Sequence, residues 1–149
     1  MNSKGAEGMD KKVAVIGSGM TGLETAEFLA SKNNNVTVFE MGDTIGAGVF
    51  FQNLMDIQGR LKEYNVEMST THKLISIKNN TAVFKVLPYG ELKEYNFDYI
   101  VISLGTRSNK ELIDEIKSKF YTVRVIGDAR NPGRIRNAME TGFESAYNL

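Results

Sequence analysis

Short apolar runs alternate with longer amphipathic segments along this chain, and the alternation predicts strands followed by helices. Three runs, at 13–16, 36–39 and 98–103, are mostly apolar, as in strands that are buried on both faces of a parallel sheet. Apolar residues at helical spacing predict helices over Thr21–Lys32 and Phe50–Tyr64. The first part of the chain is therefore expected to follow a strand–helix–strand–helix order.

The pattern changes after a third short strand, predicted at 66–69. Polar and apolar residues alternate in three runs, at 73–78, 81–87 and 91–97, and turn-forming residues separate them. This alternation predicts a three-stranded antiparallel β-meander where a second crossover helix would be expected. The predicted fold class is α/β: a Rossmann-like parallel sheet flanked by helices, with the β-meander as a crossover.

The last part of the chain returns to helical spacing. It predicts a helix over Lys110–Phe120, a strand over Thr122–Ile126 and a closing helix over Pro132–Tyr147, with the proline near the first turn. We divide the chain into a flexible leader at 1–10, a Rossmann-like domain at 11–120 and a strand–helix tail at 121–149. The leader has no apolar stretch, so it is not expected to be a signal peptide.

Three glycines stand between the first predicted strand and the first predicted helix, in the order G-x-G-x-x-G. Gly17 permits a tight turn, Gly19 lets a pyrophosphate approach the backbone, and Gly22 lets the helix lie close to the sheet. The free N–H groups and the positive end of the helix point towards the phosphates. The segment predicts a dinucleotide-binding loop, with a turn that serves only packing as the alternative.

Glu40 ends the second predicted strand, at about the distance of 20 residues that such a loop requires. A carboxylate there can accept both ribose hydroxyls of an adenosine, and it repels a 2′-phosphate. No Arg or Lys lies between Glu40 and Arg60 to hold such a phosphate. NAD(H) is therefore favoured over NADP(H); the alternative for Glu40 is a solvated acid at a strand end.

Three further residues are weaker candidates. Gly105 follows the last apolar strand, where its backbone either approaches a cofactor or simply turns. Asp128 lies between a predicted strand and the closing helix, and it is either a helix N-terminal acid, which we favour, or an acceptor for a ligand hydroxyl. His72, the single histidine, has no evident nucleophile or acid cluster beside it and is expected to be structural.

Composition excludes several classes of function. The 149 residues carry 18 basic and 18 acidic side chains, so no net charge favours nucleic acid or an anionic membrane. The chain has no cysteine, which excludes disulfides, thiolate metal sites, iron–sulfur ligation and a C-x-x-C redox centre within it. No apolar run approaches the roughly 20 residues of a membrane span, and a cytoplasmic location is expected.

The run Gly17–Ala26, G-x-G-x-x-G-x-E-x-A, resembles the pyridine-nucleotide domain of flavoproteins that contain two dinucleotide-binding domains. The sister FAD domain of that family usually lacks a glutamate at the position of Glu24. A meander in place of a crossover helix is also typical of the family. The resemblance implies that the domain at 11–120 binds NAD(H).

The segment 126–135, with Ala138 and Gly142 after it, is similar to the C-terminus of the trimethylamine dehydrogenase, 2,4-dienoyl-CoA reductase and enoate reductase group. In that group a barrel with FMN and an iron–sulfur cluster precedes FAD-type and NAD-type domains. The resemblance implies FAD, FMN and the cluster only in a parent enzyme, whose flavin domains would be partners of this chain. It also implies that Asp128 matches an aspartate that binds the ribityl chain of the flavin.

These observations predict the NAD(H)-binding domain of a flavin-dependent oxidoreductase, which holds NADH for hydride transfer to a flavin and catalyses little by itself. The alternatives are a stand-alone dinucleotide sensor or regulatory module and a minimal FAD-binding domain. Gly105 is expected near the nicotinamide half. The predicted cofactor-binding residues are Gly17, Ser18, Gly19, Met20, Thr21, Gly22, Glu40, Gly105 and Asp128.

The closing helix is predicted to carry an apolar face that includes Ile135, Met139 and Phe143. A face of that size is rarely left exposed to water. We expect the tail either to fold back on its own sheet or to be shared between two copies in a homodimer.

Overall fold

The computed structural model describes residues 10–148, and the chain forms two compact units, one up to Leu104 and one from Gly105. The elements of the first unit are β1 (Lys12–Ile16), α1 (Met20–Ser31), β2 (Asn35–Phe39), α2 (Phe51–Glu63), β3 (Glu67–Ser69), β4 (His72–Lys78), β5 (Thr81–Val86), β6 (Glu91–Asn96) and β7 (Tyr99–Ile102). The elements of the second unit are α3 (Glu111–Lys119), α4 (Gly127–Arg130) and α5 (Ile135–Tyr147).

Four strands form a parallel sheet in the order β3–β2–β1–β7. Val13 of β1 pairs with Val36 of β2 on one side and with Tyr99 of β7 on the other. All residues of β1 after Lys12 are buried, as the unbroken apolar run predicts for a central strand with both faces covered. The predicted α/β fold class, with its parallel sheet and antiparallel meander, is confirmed.

The two faces of the sheet are covered by different layers, because successive side chains of a strand point to opposite faces. Val13 and Val15 pack in one core against α1 and α2. Ala14 and Ile16 pack in a second core against the antiparallel sheet β4–β5–β6. The meander is therefore the second layer of the unit, in the place that a crossover helix would occupy.

His72, at the start of β4, belongs to an aromatic cluster on the meander side of the sheet. The rings of Phe39 and Phe84 stack with their centroids 4.3 Å apart, and the His72 ring lies 5.6 Å from that of Phe39. His72 Nδ1 lies 2.6 Å from the carbonyl oxygen of Thr70. These contacts fit the structural role that the sequence predicts for this histidine.

The tail differs from its prediction in two respects. The segment 122–126 is not a strand, although it is rich in β-branched residues. A strand requires a hydrogen-bonded neighbour, and the described part of the second unit contains no other strand. The closing helix begins at Ile135 and not at Pro132. At this observed start, the side chain of Asn137 accepts the N–H of Arg134 at 3.0 Å. Of the predicted leader at 1–10, residues 1–9 lie outside the described residues.

Replacement of Gly59 by alanine is expected to stabilise the protein by about 1 kcal/mol, because glycine in an exposed helix interior has a large unfolded-state entropy. Gly59 lies inside α2, and apart from its chain neighbours and the nearby backbone of its own helix no described atom lies within 4 Å of the position of an added Cβ. Urea unfolding measures the change. The control is Gly48→Ala, which also meets open space but has a φ of +82° and is expected to destabilise; equal effects would contradict the prediction.

Candidate dinucleotide-binding site

The glycine loop lies at the carboxyl edge of the parallel sheet, between β1 and α1. Gly17 has a φ of +106°, and its N–H donates to the carbonyl oxygen of Phe39 at 2.8 Å. An added Cβ at Gly17 would lie 2.2 Å from the carbonyl oxygen of Ser103, and one at Gly22 would lie 2.1 Å from that of Gly17. Both glycines are therefore required by the fold itself. Ser103, just after β7, carries no sequence signal for this function.

Gly19 is different from the other two glycines. Its φ of −63° and ψ of 169° are accessible to any residue. No atom of residues 10–148 lies within 4 Å of an added Cβ, so the protein leaves this side of the backbone open. An open backbone is what the close approach of a pyrophosphate requires.

The N-terminus of α1 begins at Met20, directly after Gly19. Among the described residues, no side chain caps this end and no acidic residue stands in the first turn. The N–H groups of a first helical turn have no intrahelical acceptor, and they carry the positive end of the helix dipole. The uncapped helix end and the open glycine together fit the phosphates of a dinucleotide.

Ser18 lies between the first two glycines and is only 1% exposed. Its N–H and its hydroxyl both donate to Oε2 of Glu40, at 3.0 Å and 2.6 Å. The N–H of Gly46 donates to Ser18 Oγ at 3.0 Å. The sequence places Ser18 among the predicted cofactor-binding residues, but its N–H and its hydroxyl are both hydrogen-bonded to Glu40. Ser18 joins the glycine loop to β2 and to the following loop.

Glu40 follows β2 and lies beside the glycine loop, as predicted. Its Oε1 accepts the N–H of Gly42 at 2.9 Å. Partial burial raises the pKa of Glu40, but hydrogen bonds from Gly42 and Ser18 lower it by more, so the pKa lies below its ordinary value. Glu40 is therefore a carboxylate at neutral pH, and its repulsion of a 2′-phosphate stays a prediction.

The first basic residue after Glu40, Arg60, is engaged elsewhere. Its Nε lies 2.5 Å from Oε1 of Glu27, and its guanidinium also pairs with Asp56. The pair with Glu27 connects α2 to α1, whereas the pair with Asp56 lies within α2. Arg60 is thus held by two acids, and the preference for NAD(H) over NADP(H) stays a prediction.

Glu40 is expected to contribute to stability at neutral pH and to lose that contribution in acid. A carboxyl group whose pKa is lowered by folding stabilises the native state above its unfolded-state pKa, and this stabilisation disappears as the pH falls through the native pKa. The loss should therefore begin near the ordinary pKa of 4.5 and continue below it. Glu40→Gln should remove this part of the acid limb in urea unfolding at a series of pH values.

The control for the acid limb is Glu94→Gln, at an exposed position of β6. This variant removes a carboxylate at a solvent-exposed position and leaves the hydrogen bonds of Glu40 in place. If the free energy of unfolding falls in acid by the same amount in Glu40→Gln and in Glu94→Gln, the hydrogen bonds of Glu40 do not contribute to stability as predicted.

Of the other predicted site residues, Thr21 lies in the first turn of α1, and Gly105 and Asp128 lie in the second unit. Gly105 has a φ of +80° and an open Cβ direction, and its expected place near a nicotinamide stays a prediction. Asp128 lies in the single turn α4, where its Oδ1 accepts the N–H of Gly133 at 3.2 Å. The aspartate therefore closes the turn between α4 and α5, and it is an N-terminal acid of the short helix α4; its match to a flavin-binding aspartate stays a prediction.

The apolar face of α5 has two distinct parts. Ala138 and Gly142 approach Gly127 and Ile126, so the small residues pack within the unit. The large residues recur every fourth position and are at least two-thirds exposed: Ile135, Met139, Phe143 and Tyr147. Their cover by a second copy stays a prediction.

Light scattering in dilute solution tests whether the tail is shared. Sharing predicts twice the 16.6 kDa mass of one chain. A monomeric mass together with a tail that resists proteolysis would contradict it. Substitution of Met139 by glutamate should dissociate a dimer of this kind, whereas Lys117→Glu on α3 serves as the control for added charge.

Comparison with known proteins agrees with the class that the fold and the glycine loop define, a dinucleotide-binding domain. The family model described as pyridine nucleotide-disulphide oxidoreductase matches residues 2–142, and the chain belongs to this family. The family is one of oxidoreductases that use a pyridine nucleotide. Among residues 10–148, no helix is long and apolar enough to cross a membrane.

Two curated relatives match nearly the whole chain. An NADH oxidase of Thermoanaerobacter brockii is 33% identical over an alignment that covers 94% of this chain and 22% of that protein. A cinnamate reductase of Clostridium sporogenes is 30% identical over 93% of this chain and 21% of its own length. The chain therefore spans about a fifth of the length of these relatives.

Solved structures show the same fold. Histamine dehydrogenase from Rhizobium sp. 4-9 has a TM-score of 0.76 at 18% identity, over 96% of this chain and 24% of that one. Thioredoxin reductase of Lactococcus lactis has a TM-score of 0.68 at 21% identity, over 97% of this chain and 53% of that one. At these identities the likeness concerns the fold alone.

Proposed function

We propose that this chain is the NAD(H)-binding domain of a longer flavin-dependent oxidoreductase. The observation that carries the proposal is the uncapped N-terminus of α1, with the open backbone of Gly19, beside the ionised Glu40. In this proposal the carboxylate accepts ribose hydroxyls of the adenosine, and its charge disfavours a 2′-phosphate. The backbone of the loop holds the pyrophosphate through Gly19, Met20, Thr21 and Gly22, whereas the predicted contact of Gly17 is set aside because its N–H already donates to Phe39.

The contribution of this chain to the reaction is orientation. A bound NADH supplies the hydride, and a flavin held elsewhere in the parent enzyme accepts it. The dipole of α1 offsets charge on the phosphates, while Gly17 and Gly22 keep the loop close to the sheet. Because this chain has no cysteine, an iron–sulfur cluster would belong to other parts of the parent enzyme.

We further propose that the parent enzyme resembles the trimethylamine dehydrogenase, 2,4-dienoyl-CoA reductase and enoate reductase group. Support comes from the segment 126–135, from relatives named NADH oxidase and cinnamate reductase, and from the fold of histamine dehydrogenase. FAD, FMN and an iron–sulfur cluster are then cofactors of the parent enzyme, and its flavin domains are partners of this chain.

Calorimetric titration of the chain with NADH, NADPH and FAD tests the proposal. NADH should bind, and NADPH should bind about tenfold or more weakly, a difference of ~1.4 kcal/mol. Equal binding of NADPH would contradict the function assigned to Glu40. Tight stoichiometric binding of FAD would instead favour a minimal FAD-binding domain, and the absence of any binding would refute a nucleotide site in this chain.

A further inference from the structure

The hydroxyl of Ser18 lies where three segments meet: the glycine loop, the end of β2 and the loop at 42–48. It donates to Glu40 Oε2 at 2.6 Å and accepts the N–H of Gly46 at 3.0 Å. The serine side chain is almost completely buried. This buried hydroxyl is both a hydrogen-bond donor and an acceptor. Its removal would therefore leave both Glu40 and Gly46 with one hydrogen bond fewer at a site with little access to water.

The backbone of Glu40 is held independently of Ser18. Its N–H donates to the carbonyl oxygen of Ser69, and its carbonyl oxygen accepts the N–H of His72, both at 2.8 Å. The side chain, in contrast, has rotatable bonds, and its direction depends on the groups that bind the carboxylate. Gly42 holds Oε1 from only two residues away, so the bonds from Ser18 are the ones that tie the carboxylate to the glycine loop.

The loop at 42–48 depends on the same hydroxyl. Ile45 is buried in the core with the helices, and Gly46 has a φ of +72° with Leu54 packed against it. Removal of the Ser18 hydroxyl would leave the N–H of Gly46 without its acceptor, which is costly at a buried position. The loop beside Glu40 would then move away or admit water.

We propose that Ser18 is a positioning residue that sets the selectivity of this site for a dinucleotide without a 2′-phosphate. It does so by holding the Glu40 carboxylate against the glycine loop and by anchoring the loop at 42–48. This inference rests on the proposed NAD(H)-binding function and adds a determinant of its specificity. Ser18 acts through Glu40 and not by contact with the reacting atoms.

The test is the ratio of the dissociation constants of NADPH and NADH, measured for the whole chain. Ser18→Ala should lower this ratio by about tenfold, or ~1.4 kcal/mol of selectivity, because a mobile carboxylate no longer repels the 2′-phosphate. The matched control is Thr37→Val, which also removes a buried hydroxyl. Thr37 lies in β2, and its hydroxyl is 3.4 Å from Oε2 of Glu67 and not bound to Glu40. This control should keep the parental ratio.

A double-mutant cycle separates positioning from a general loss of structure. Once Glu40→Ala has removed the carboxylate, Ser18→Ala should change the ratio no further. Carboxyl ¹³C NMR gives a readout without ligand: Ser18→Ala should raise the pKa of Glu40, and Thr37→Val should not. If Ser18→Ala does not fold, Ser18→Cys, a weaker donor of similar volume, should give an intermediate ratio.

Several outcomes would overturn the inference. One is that folded Ser18→Ala, or Ser18→Cys, keeps the parental ratio of the NADPH and NADH dissociation constants. Another is that Ser18→Ala weakens the binding of NADH and of NADPH equally, both in the parent chain and in the Glu40→Ala background. An unshifted pKa of Glu40 would refute the positioning role whether or not a dinucleotide binds. If the parent chain binds no NADH, the proposed function and the selectivity role fail together. If the parent chain prefers NADH and folded Ser18→Ala keeps the same preference, only the selectivity role fails.

Discussion

Gly19→Ala is expected to weaken NADH binding by about 100-fold or more, ~2.7 kcal/mol, while the protein stays folded. The added methyl group would project into the open space that a pyrophosphate needs in order to reach the backbone. It meets no atom in the described residues, and the φ of −63° suits alanine. Alanine is a poorer helix N-cap than glycine, so stability should fall by about 1 kcal/mol at most.

Calorimetry and urea unfolding of the same preparation measure both quantities. Gly59→Ala is the matched control, because it makes the same substitution at another open position, inside α2, and should leave NADH affinity unchanged. Unchanged affinity in Gly19→Ala would show that the pyrophosphate does not approach the backbone at this loop.

Gly17→Ala, unlike Gly19→Ala, is expected to act mainly on the stability of the fold, which it should lower by more than about 3 kcal/mol. Its Cβ would lie 2.2 Å from the carbonyl oxygen of Ser103, and backbone cannot rotate away as a flexible side chain can. The φ of +106° adds strain for any residue with a Cβ. The urea midpoint, or the loss of near-ultraviolet circular dichroism, measures the effect.

Gly48→Ala separates the two causes at Gly17, because Gly48 also has a positive φ but meets no atom within 4 Å in the described residues. It should cost less than Gly17→Ala, and Gly22→Ala, with a 2.1 Å approach to the Gly17 carbonyl oxygen, should behave like Gly17→Ala. Comparable small losses in all three variants would contradict a steric origin.

The three glycines of one motif therefore divide into two kinds. Gly17 and Gly22 are required by the approach of backbone to backbone, and they would be required without any ligand. Gly19 has no such requirement in the folded chain. A glycine that the fold does not need is the strongest indication in this loop that something else approaches it.

Prediction from sequence succeeded where a pattern repeats over several residues. The unbroken apolar run of β1 indicates a strand with both faces packed against other elements. The alternation of polar and apolar residues in β4–β6 indicates strands with only one face packed in this way. It failed at 122–126, because β-branched composition describes the strand but not the neighbour that a strand needs. It also placed the start of the closing helix too early, at Pro132, because Asn137 pairs with Arg134 further along the chain.

The sequence by itself determined the order of the elements, the glycine loop and the acid at the end of β2, since each depends on residues close together in the chain. Only the tertiary structure decided what these residues contact. Glu40 is bound by Ser18, 22 positions away, and Gly17 is confined by Ser103, which directly follows β7. Contacts of this kind arise when parallel strands bring their carboxyl ends to one edge of a sheet. No local pattern encodes the distances across that edge, which decide which glycine serves the fold and which is open to a ligand.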